Sequence, residues 1–269
     1  MISRRFVVAG LGLCVALSAS MGMAANRSSS SKLTKKPAKG SELVELFQAV
    51  DDKQVDLKFI PKSAEQATVI VKNLTKKPLS IRMPEAFAGV PVLAQAGGRN
   101  GGGGRNGGGG GGGGGNQGMG GGMGGMGGMG GGMFNVGPDK VGKLRVTTVC
   151  LEHGKDDPNP RIPYEMKPIE EFTQNAELAE ICKMLGRGEL NQTTAQAAAW
   201  NLSDGLTWVQ LANKVKVKHL NGQVEMFFSP QHIRGAMKAV QVAVNTTSDK
   251  SKDYVSPGEL LDANAKLAD

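Results

Sequence analysis

Apolar and polar residues alternate along the chain from Val55 to Val92, as they do in strands with one buried face. The segments V-D-L-K-F-I, A-T-V-I-V-K-N-L and L-S-I-R-M have this period of two, and P-K-S-A-E-Q and T-K-K-P separate them as turns. This stretch also contains four prolines, which are typical of the edges and turns of a sandwich: Pro61, Pro78, Pro84 and Pro91. The first half of the chain is therefore predicted to be an antiparallel β-sandwich.

A glycine-rich segment, Gly97 to Met133, interrupts this pattern and contains more than half of the 40 glycines in the chain. It offers almost nothing to bury and has maximal backbone entropy to lose, so we expect it to be disordered. Strand-like sequence precedes it (V-P-V-L-A-Q) and resumes after it (K-L-R-V-T-T-V-C). The segment is therefore predicted to be a long loop inserted into one β-domain, with a linker between two domains as the alternative.

The second half has mainly helical patterns. Ala176 to Leu185 carries an i, i+3, i+4, i+7 apolar stripe, and T-T-A-Q-A-A-A-W-N-L from Thr193 is closed by S-D-G. A further short helix is predicted over 207–215, and Ser-Pro pairs at 229–230 and 256–257 predict two more helix starts. Between them, Asn221-Gly222 separates two alternating runs and predicts a type I′ hairpin over residues 214–228.

These patterns together predict an α+β fold with an antiparallel β-sandwich-like first half. Residues 42–152 form the predicted sandwich domain, with residues 97–133 as its disordered insertion. Residues 153–269 form a mainly helical region with one hairpin, and residues 25–41 form a disordered, Ser/Lys-rich lead-in.

The first 24 residues have the order of a secretory signal peptide. Arg4 and Arg5 precede an apolar run that is too short for an ordinary membrane span, and small residues follow as a cleavage site. The mature chain is therefore expected to be exported to the periplasm, the cell surface or the medium. Removal of the signal peptide would lower the formal net charge from +8 to +6, because Arg4 and Arg5 are its only charged residues.

Cys150 and Cys182 remain after processing, because the third cysteine, Cys14, lies in the predicted signal peptide. Two cysteines in an oxidising compartment predict a disulfide as one possibility. Cys182 also lies on the apolar stripe of its predicted helix, so it can equally be a small core residue.

Cys150 and His153 have a spacing that can reach one metal ion. Cys182, His219 and His232 would have to complete a tetrahedral zinc site, although such sites usually use two closely spaced pairs. No metal and no other cofactor is therefore predicted. The chain also has no nucleophile motif, phosphate loop or dinucleotide fingerprint, so it is not predicted to be an enzyme.

Cys150 can also act together with a glutamine. Gln196 and Trp200 lie four residues apart on one face of a predicted helix, and Cys150 ends a β-branched run. A thiol on rigid β-structure could attack the glutamine carboxamide, expel ammonia and form an intramolecular thioester. Trp200 would be the apolar lid that excludes water from this bond.

The segments V-C-L-E (149–152) and A-Q-A-A-A-W (195–200) resemble the cysteine and glutamine motifs of bacterial surface thioester domains. The resemblance covers roughly residues 146–202, and Val149 stands where that family has an aromatic residue. It implies that Cys150 is the thiol donor and Gln196 the acyl donor of a thioester that captures surface amines covalently.

Two functional classes follow from the sequence. The first is an exported, non-enzymatic binding or structural module of the cell envelope, with a surface ligand or an envelope polymer as its partner. The second is a covalent adhesion module that uses Cys150 and Gln196. Nucleic acid is not an expected partner, because the glycine-rich segment has two arginines and no interleaved aromatic residues.

Overall fold

The computed structural model describes residues 33–34, 36–92, 115–123 and 132–253. Its strands are β1 (Glu42–Glu45), β2 (Val55–Ser63), β3 (Gln66–Asn73), β4 (Leu79–Arg82), β5 (Phe87–Pro91), β6 (Met119–Gly121), β7 (Met133–Val136), β8 (Val141–Cys150), β9 (Tyr164–Pro168), β10 (Val215–Lys218) and β11 (Val224–Met226). Its helices are α1 (Leu46–Asp51), α2 (Ile169–Phe172), α3 (Ala176–Arg187), α4 (Gln192–Asp204), α5 (Trp208–Ala212) and α6 (Pro230–Asp253).

Six strands close into an antiparallel barrel in the order β2-β3-β8-β6-β5-β9. Inward side chains such as Phe59, Val69 and Leu144 fill the barrel, while the alternate positions of the same strands face outward. A three-stranded sheet, β1-β4-β7, packs against the same core with Leu79, Ile81 and other apolar residues.

The predicted β-sandwich is wrong, because the sheet is a closed barrel. Alternation of buried and exposed positions is common to both architectures, so the pattern alone does not tell them apart. Closure depends on two strands that were not predicted, of which β6 lacks the alternation and β9 has it only over a short stretch. β6 comes from the glycine-rich segment and joins β8 to β5, and β9 pairs with both β5 and β2. The mixture of helices and strands agrees with the predicted α+β class.

Part of the glycine-rich segment is ordered, contrary to the prediction for residues 97–133. Residues 115–123 contain β6, and Met119 and Met123 are buried. At Gly120 and Gly121 the strand has no side chain and passes close to its neighbours, between β8 and α3. The remainder of that prediction, at residues 97–114 and 124–131, lies outside the described residues.

The lead-in to the domain is also partly ordered. The N–H of Thr34 donates to the carbonyl of Met133 at 2.8 Å, and the N–H of Ala38 donates to Ser80 Oγ at 3.0 Å. The described residues of the predicted disordered stretch 25–41 thus pack along the three-stranded sheet. The predicted signal peptide and the predicted helix start at 256–257 lie outside the described residues.

Capping residues fix the helices that position the site. Asn175 and Asn191 accept backbone hydrogen bonds at the starts of α3 and α4, and Gly188 and Gly205 end these helices in the left-handed conformation. α6 packs against both α3 and α4. None of the helices in the described part of the chain is both long and apolar enough to cross a membrane.

The hairpin forms between β10 and β11 but its turn is not type I′. Gly222 has a φ of 83°, whereas Asn221 is not among the residues with positive φ. The N–H of Gly222 bonds to the carbonyl of His219, which places Leu220 and Asn221 at the centre of the turn and Gly222 after it. This longer loop uses the glycine as its single left-handed residue.

Candidate functional site

Cys150 is the last residue of β8 and pairs with Met119 of β6. Its side chain is buried and its sulfur is a free thiol, 3.9 Å from the carbonyl oxygen of Ala64. Burial, with the nearby charges of Asp157 and Glu65, raises the pKa of the Cys150 thiol to about 12. The thiol is therefore protonated at neutral pH and shielded from water.

Gln196 lies on α4, in the alanine-rich part of that helix. Ala195 and Ala197 to Ala199 are fully buried, and their small side chains let the helix backbone approach the barrel closely. Gln196 is itself only 2% exposed, which is unusual for an amide side chain and requires that its polar atoms have partners.

Cys150 supplies both partners of the Gln196 carboxamide. The N–H of Cys150 donates to Gln196 Oε1 at 2.8 Å, and Gln196 Nε2 donates to the Cys150 carbonyl at 2.8 Å. Both bonds are buried, so they are shielded from competing water. The structure thus brings together the two residues that the sequence selected as a reactive pair, 46 positions apart in the chain.

Trp200 lies one helical turn beyond Gln196 and covers this region with a cluster of rings. Its own ring is 6% exposed and packs against His153, Phe227 and Phe228, with centroids 4.9, 5.3 and 5.9 Å away. The indole Nε1 is buried and has no hydrogen-bond partner among the described residues. The predicted lid residue is therefore part of an aromatic cluster with one unused donor.

His153 contacts Lys214, which the sequence analysis did not select. His153 Nε2 lies 2.7 Å from Lys214 Nζ, and the backbone N–H of His153 donates to Asp204 at 2.9 Å. Lys214 Nζ also lies 5.2 Å from the ring centre of Trp200 and 5.9 Å from that of Phe227. Phe227 and Phe228 were a usable signal, because adjacent aromatic residues stand out in a chain with 4% aromatic residues.

Burial lowers the pKa of both groups in this contact. Burial and then the Lys214 charge lower the pKa of His153, while Asp204 acts in the opposite direction. Burial lowers the pKa of Lys214. A neutral imidazole accepts a hydrogen bond from the Lys214 ammonium at neutral pH.

Cys182 is on α3, fully buried, and is also a free thiol. Its sulfur faces β6, where a Cβ on Gly120 would lie 2.7 Å from it. Burial raises the pKa of the Cys182 thiol to about 12. The predicted alternative of a disulfide between Cys150 and Cys182 stays a prediction that a mass measurement can decide.

The other residues considered for metal binding lie apart. His232 accepts a hydrogen bond from the N–H of Ser229 at the start of α6, and His219 lies in the hairpin near Glu225. Within the described ranges, no three His, Cys, Asp or Glu side chains form a group that could hold a metal ion.

Tyr164 borders the cysteine from the barrel side. Its hydroxyl donates to the carbonyl of Gln117 at 2.8 Å. Burial, and then the charges of Cys150, Glu152 and Asp157, raise the pKa of Tyr164 above its usual range. The phenol therefore stays protonated, and it closes the site with a hydrogen bond rather than a charge.

With this geometry in view, the chain was compared with known proteins, and no family model, curated protein or solved structure matches it.

Proposed function

We propose that this protein is an exported covalent attachment module, in which Cys150 and Gln196 form an internal thioester that reacts with primary amines on a surface. The observation that carries the proposal is the pair of buried hydrogen bonds that hold the Gln196 carboxamide against the backbone of Cys150. Export rests on the N-terminal segment of the sequence.

The chemistry balances without a cofactor. The Cys150 sulfur bonds to the Gln196 carboxamide carbon, the carbon–nitrogen bond breaks, and ammonia leaves with the thiol proton. An incoming amine then bonds to the same carbon, the carbon–sulfur bond breaks, and the sulfur takes a proton from the amine. Each molecule reacts once, so the protein is a reagent for attachment rather than an enzyme with turnover.

The surroundings of the pair suit such a bond. The carboxamide is already oriented by the two hydrogen bonds, and a positioned group reacts far faster than a free one. Trp200 and the alanines of α4 exclude water, which would otherwise hydrolyse the thioester. The raised pKa of the free Cys150 thiol opposes formation of the thiolate nucleophile, so the thiol proton has to pass to the leaving nitrogen as the sulfur–carbon bond forms.

Intact mass under non-reducing conditions tests the proposal. A thioester lowers the mass of the mature chain by about 17 Da, and methylamine converts this deficit into a gain of about 14 Da. Cys150→Ser should abolish the deficit, whereas the matched variant Cys182→Ser should keep it. A deficit of about 2 Da that both variants abolish identifies a disulfide instead, and an unmodified mass also contradicts the proposal.

A second candidate function is non-covalent binding of an anionic envelope polymer, and the outer wall of the barrel favours it. Strands β2, β3 and β8 expose five cationic side chains and contain one acidic residue, Asp56. None of the five forms an ion pair with another described residue: Lys58, Lys62, Lys72, Lys143 and Arg145. A groove on this wall is lined by Lys62, Lys143 and Arg145 together with Ile60 and Ile70.

Charge reversal tests this second function. Lys143→Glu with Arg145→Glu should weaken binding to immobilised teichoic acid, and the affinity of the wild type should fall as salt rises. Arg234→Glu with Lys238→Glu, at two exposed positions on α6, changes the net charge by the same amount and is the control. Equal loss in the control and in Lys143→Glu with Arg145→Glu would mean that this wall is not the binding surface.

A further inference from the structure

We propose that the ring pocket, formed by Trp200, Phe227 and His153, receives the ammonium group of the attacking amine, and that Lys214 holds this place until the amine displaces it. The inference rests on the proposed thioester and names the group of the substrate that is recognised.

Two residues of the ring pocket are near the proposed pair along the chain. Trp200 follows Gln196 by four residues of α4, a rise of about 6 Å along the helix axis. His153 follows Cys150 by three residues, in the loop that leaves β8. The segments that carry the pair therefore also supply two of the three pocket residues, and Phe227 comes from the chain after β11.

Lys214 shows which chemical group fits the pocket. Its ammonium lies 5.2 and 5.9 Å from the centres of the Trp200 and Phe227 rings, within the range of cation–π attraction. Its nitrogen is 2.7 Å from His153 Nε2. A primary ammonium at the end of a flexible alkyl chain, as on a lysine side chain of a target protein, would make the same three contacts.

The Lys214 ammonium lies in the ring pocket without a strong bond to hold it there. Lys214 forms no ion pair with a carboxylate in the described part of the chain. Lys214 and His153 are both partly exposed, so an external amine can reach them from solvent. The buried Nε1–H of Trp200, which has no acceptor among the described residues, remains for a carbonyl oxygen of the substrate.

Displacement also provides the proton transfer that attack requires. The ammonium loses one proton through His153 Nε2 to solvent and becomes a neutral amine, because an imidazole with a lowered pKa does not keep the proton of an alkylammonium. The amine nitrogen then bonds to the thioester carbon and gives a second proton to the Cys150 sulfur as the carbon–sulfur bond breaks. The products are an amide on Gln196, a Cys150 thiol and one proton released to solvent, so atoms and charge balance.

The test measures the rate at which a biotin-labelled pentylamine and methylamine open the thioester of the full mature chain, followed by intact mass. Lys214→Ala should raise the rate with pentylamine about tenfold, because the internal competitor is gone. Lys216→Ala is the matched control, since Lys216 is an exposed neighbour that pairs with Glu225 at 3.0 Å. An unchanged or slower rate in Lys214→Ala would overturn the proposal.

A second variant separates His153 from a structural role. His153→Gln keeps an acceptor for Lys214 but cannot take a proton, so it should slow amine capture at neutral pH by about 100-fold. It should also remove the part of the pH dependence of the capture rate that His153 sets beside Lys214 and Asp204. Wild-type rates and profile in His153→Gln would contradict the assignment.

A wild-type mass deficit that methylamine does not reverse, but that becomes reversible in Lys214→Ala, would show that Lys214 itself has attacked Gln196. That outcome also overturns the proposal.

These results remain distinguishable from failure of the thioester itself. A wild-type chain without the deficit of about 17 Da contradicts the proposed function before any amine is added. A chain with the deficit, but with equal rates in Lys214→Ala and Lys216→Ala, contradicts only the role of the ring pocket.

Discussion

Gln196 acts toward Cys150 as a peptide group of a neighbouring strand would. Its side-chain oxygen and nitrogen bond to the N–H and the C=O of one residue, and β8 has no strand partner for these two groups at its end. The same two bonds that would orient the carboxamide before the thioester forms therefore also complete the hydrogen bonding of the barrel. Stability and reactivity at this site have to be measured separately.

Gln196→Met in a Cys150→Ser background isolates the structural part. The change keeps the volume of the side chain but leaves two buried backbone groups of residue 150 without partners. We expect the free energy of unfolding to fall by about 2–4 kcal/mol, measured by urea denaturation. Gln174→Met, at an exposed glutamine, is the control and should change the free energy of unfolding little. A similarly small change at Gln196 would mean that water replaces the carboxamide as the partner of these backbone groups.

The two buried thiols predict a loss of stability in alkali. Their pKa values rise from 9.0 to about 12 in the folded chain, so above pH 9 the unfolded chain releases protons that the folded chain retains. The free energy of unfolding should therefore fall with rising pH between 9 and 12, by about 1.4 kcal/mol per pH unit for each thiol. Below pH 9 this contribution is fully present.

Comparison of Cys182→Ala with the wild type at several pH values just above 9 isolates one thiol, because the opposite effect of Lys214 is common to both proteins. Cys182→Ala should remove one thiol's share of the slope. If the thioester is formed, Cys150 has no thiol to titrate, and the remaining slope should then contain no thiol contribution. A slope that does not respond to Cys182→Ala would show that this thiol does not stay protonated in the folded chain.

β6 shows why a low-complexity segment can be a structural element. Its residue Gly120 lies against the Cys182 sulfur, and the following Gly122 lies against Gly186 of α3. The strand therefore lets the helix approach the barrel wall at a distance that no side chain would allow. This close approach places α3, and with it α4, over the end of β8.

Gly122→Ala and Gly186→Ala should each destabilise the protein by about 1–3 kcal/mol. An added Cβ at Gly122 would lie 2.5 Å from the carbonyl oxygen of Glu85, and one at Gly186 would lie 2.5 Å from the Cα of Gly122. These neighbours are backbone atoms that cannot rotate away. Gly115→Ala, where nothing lies within 4 Å, is the control, and thermal unfolding of the three variants measures the difference.

Helices and regular strands could be predicted from the sequence because their signals are local. The apolar stripe of α3 and the alternation in β8 each lie within one segment, and both segments have the predicted structure. β6 and β9 could not be predicted, because glycine carries no hydrophobic pattern and β9 follows a proline-rich stretch. Their pairing depends on partners far along the chain, so barrel closure was missed.

The candidate site was predicted in part. Cys150, Gln196 and Trp200 were selected from motifs and helical spacing, and the structure places all three within one region. Phe227 and Phe228 stand out in the sequence as adjacent aromatic residues, but their contact with Trp200, like that of Lys214, depends on the packing of α5 and the hairpin against α4. Tertiary contacts of this kind have no local signature.

At the scale of the whole molecule, the barrel and the helices share one core at the end of β8. Val149 and Leu151 belong to the same buried cluster as Ile181 of α3 and Ala198 of α4. Cys150 and Gln196 therefore lie in the interface between the two layers. A bond between Cys150 and Gln196 would join the layers covalently, across a separation of 46 residues in the chain.

That separation has a mechanical consequence for the proposed attachment module. When the chain is pulled from its two ends, a thioester between Cys150 and Gln196 carries the load and keeps the 46-residue loop from stretching. Single-molecule force spectroscopy should therefore record a contour length shorter by about 150–165 Å for the intact bond than after treatment with methylamine. Equal lengths before and after treatment would show that no such load-bearing bond exists, whereas the expected difference would make amine capture a means of lengthening the tether.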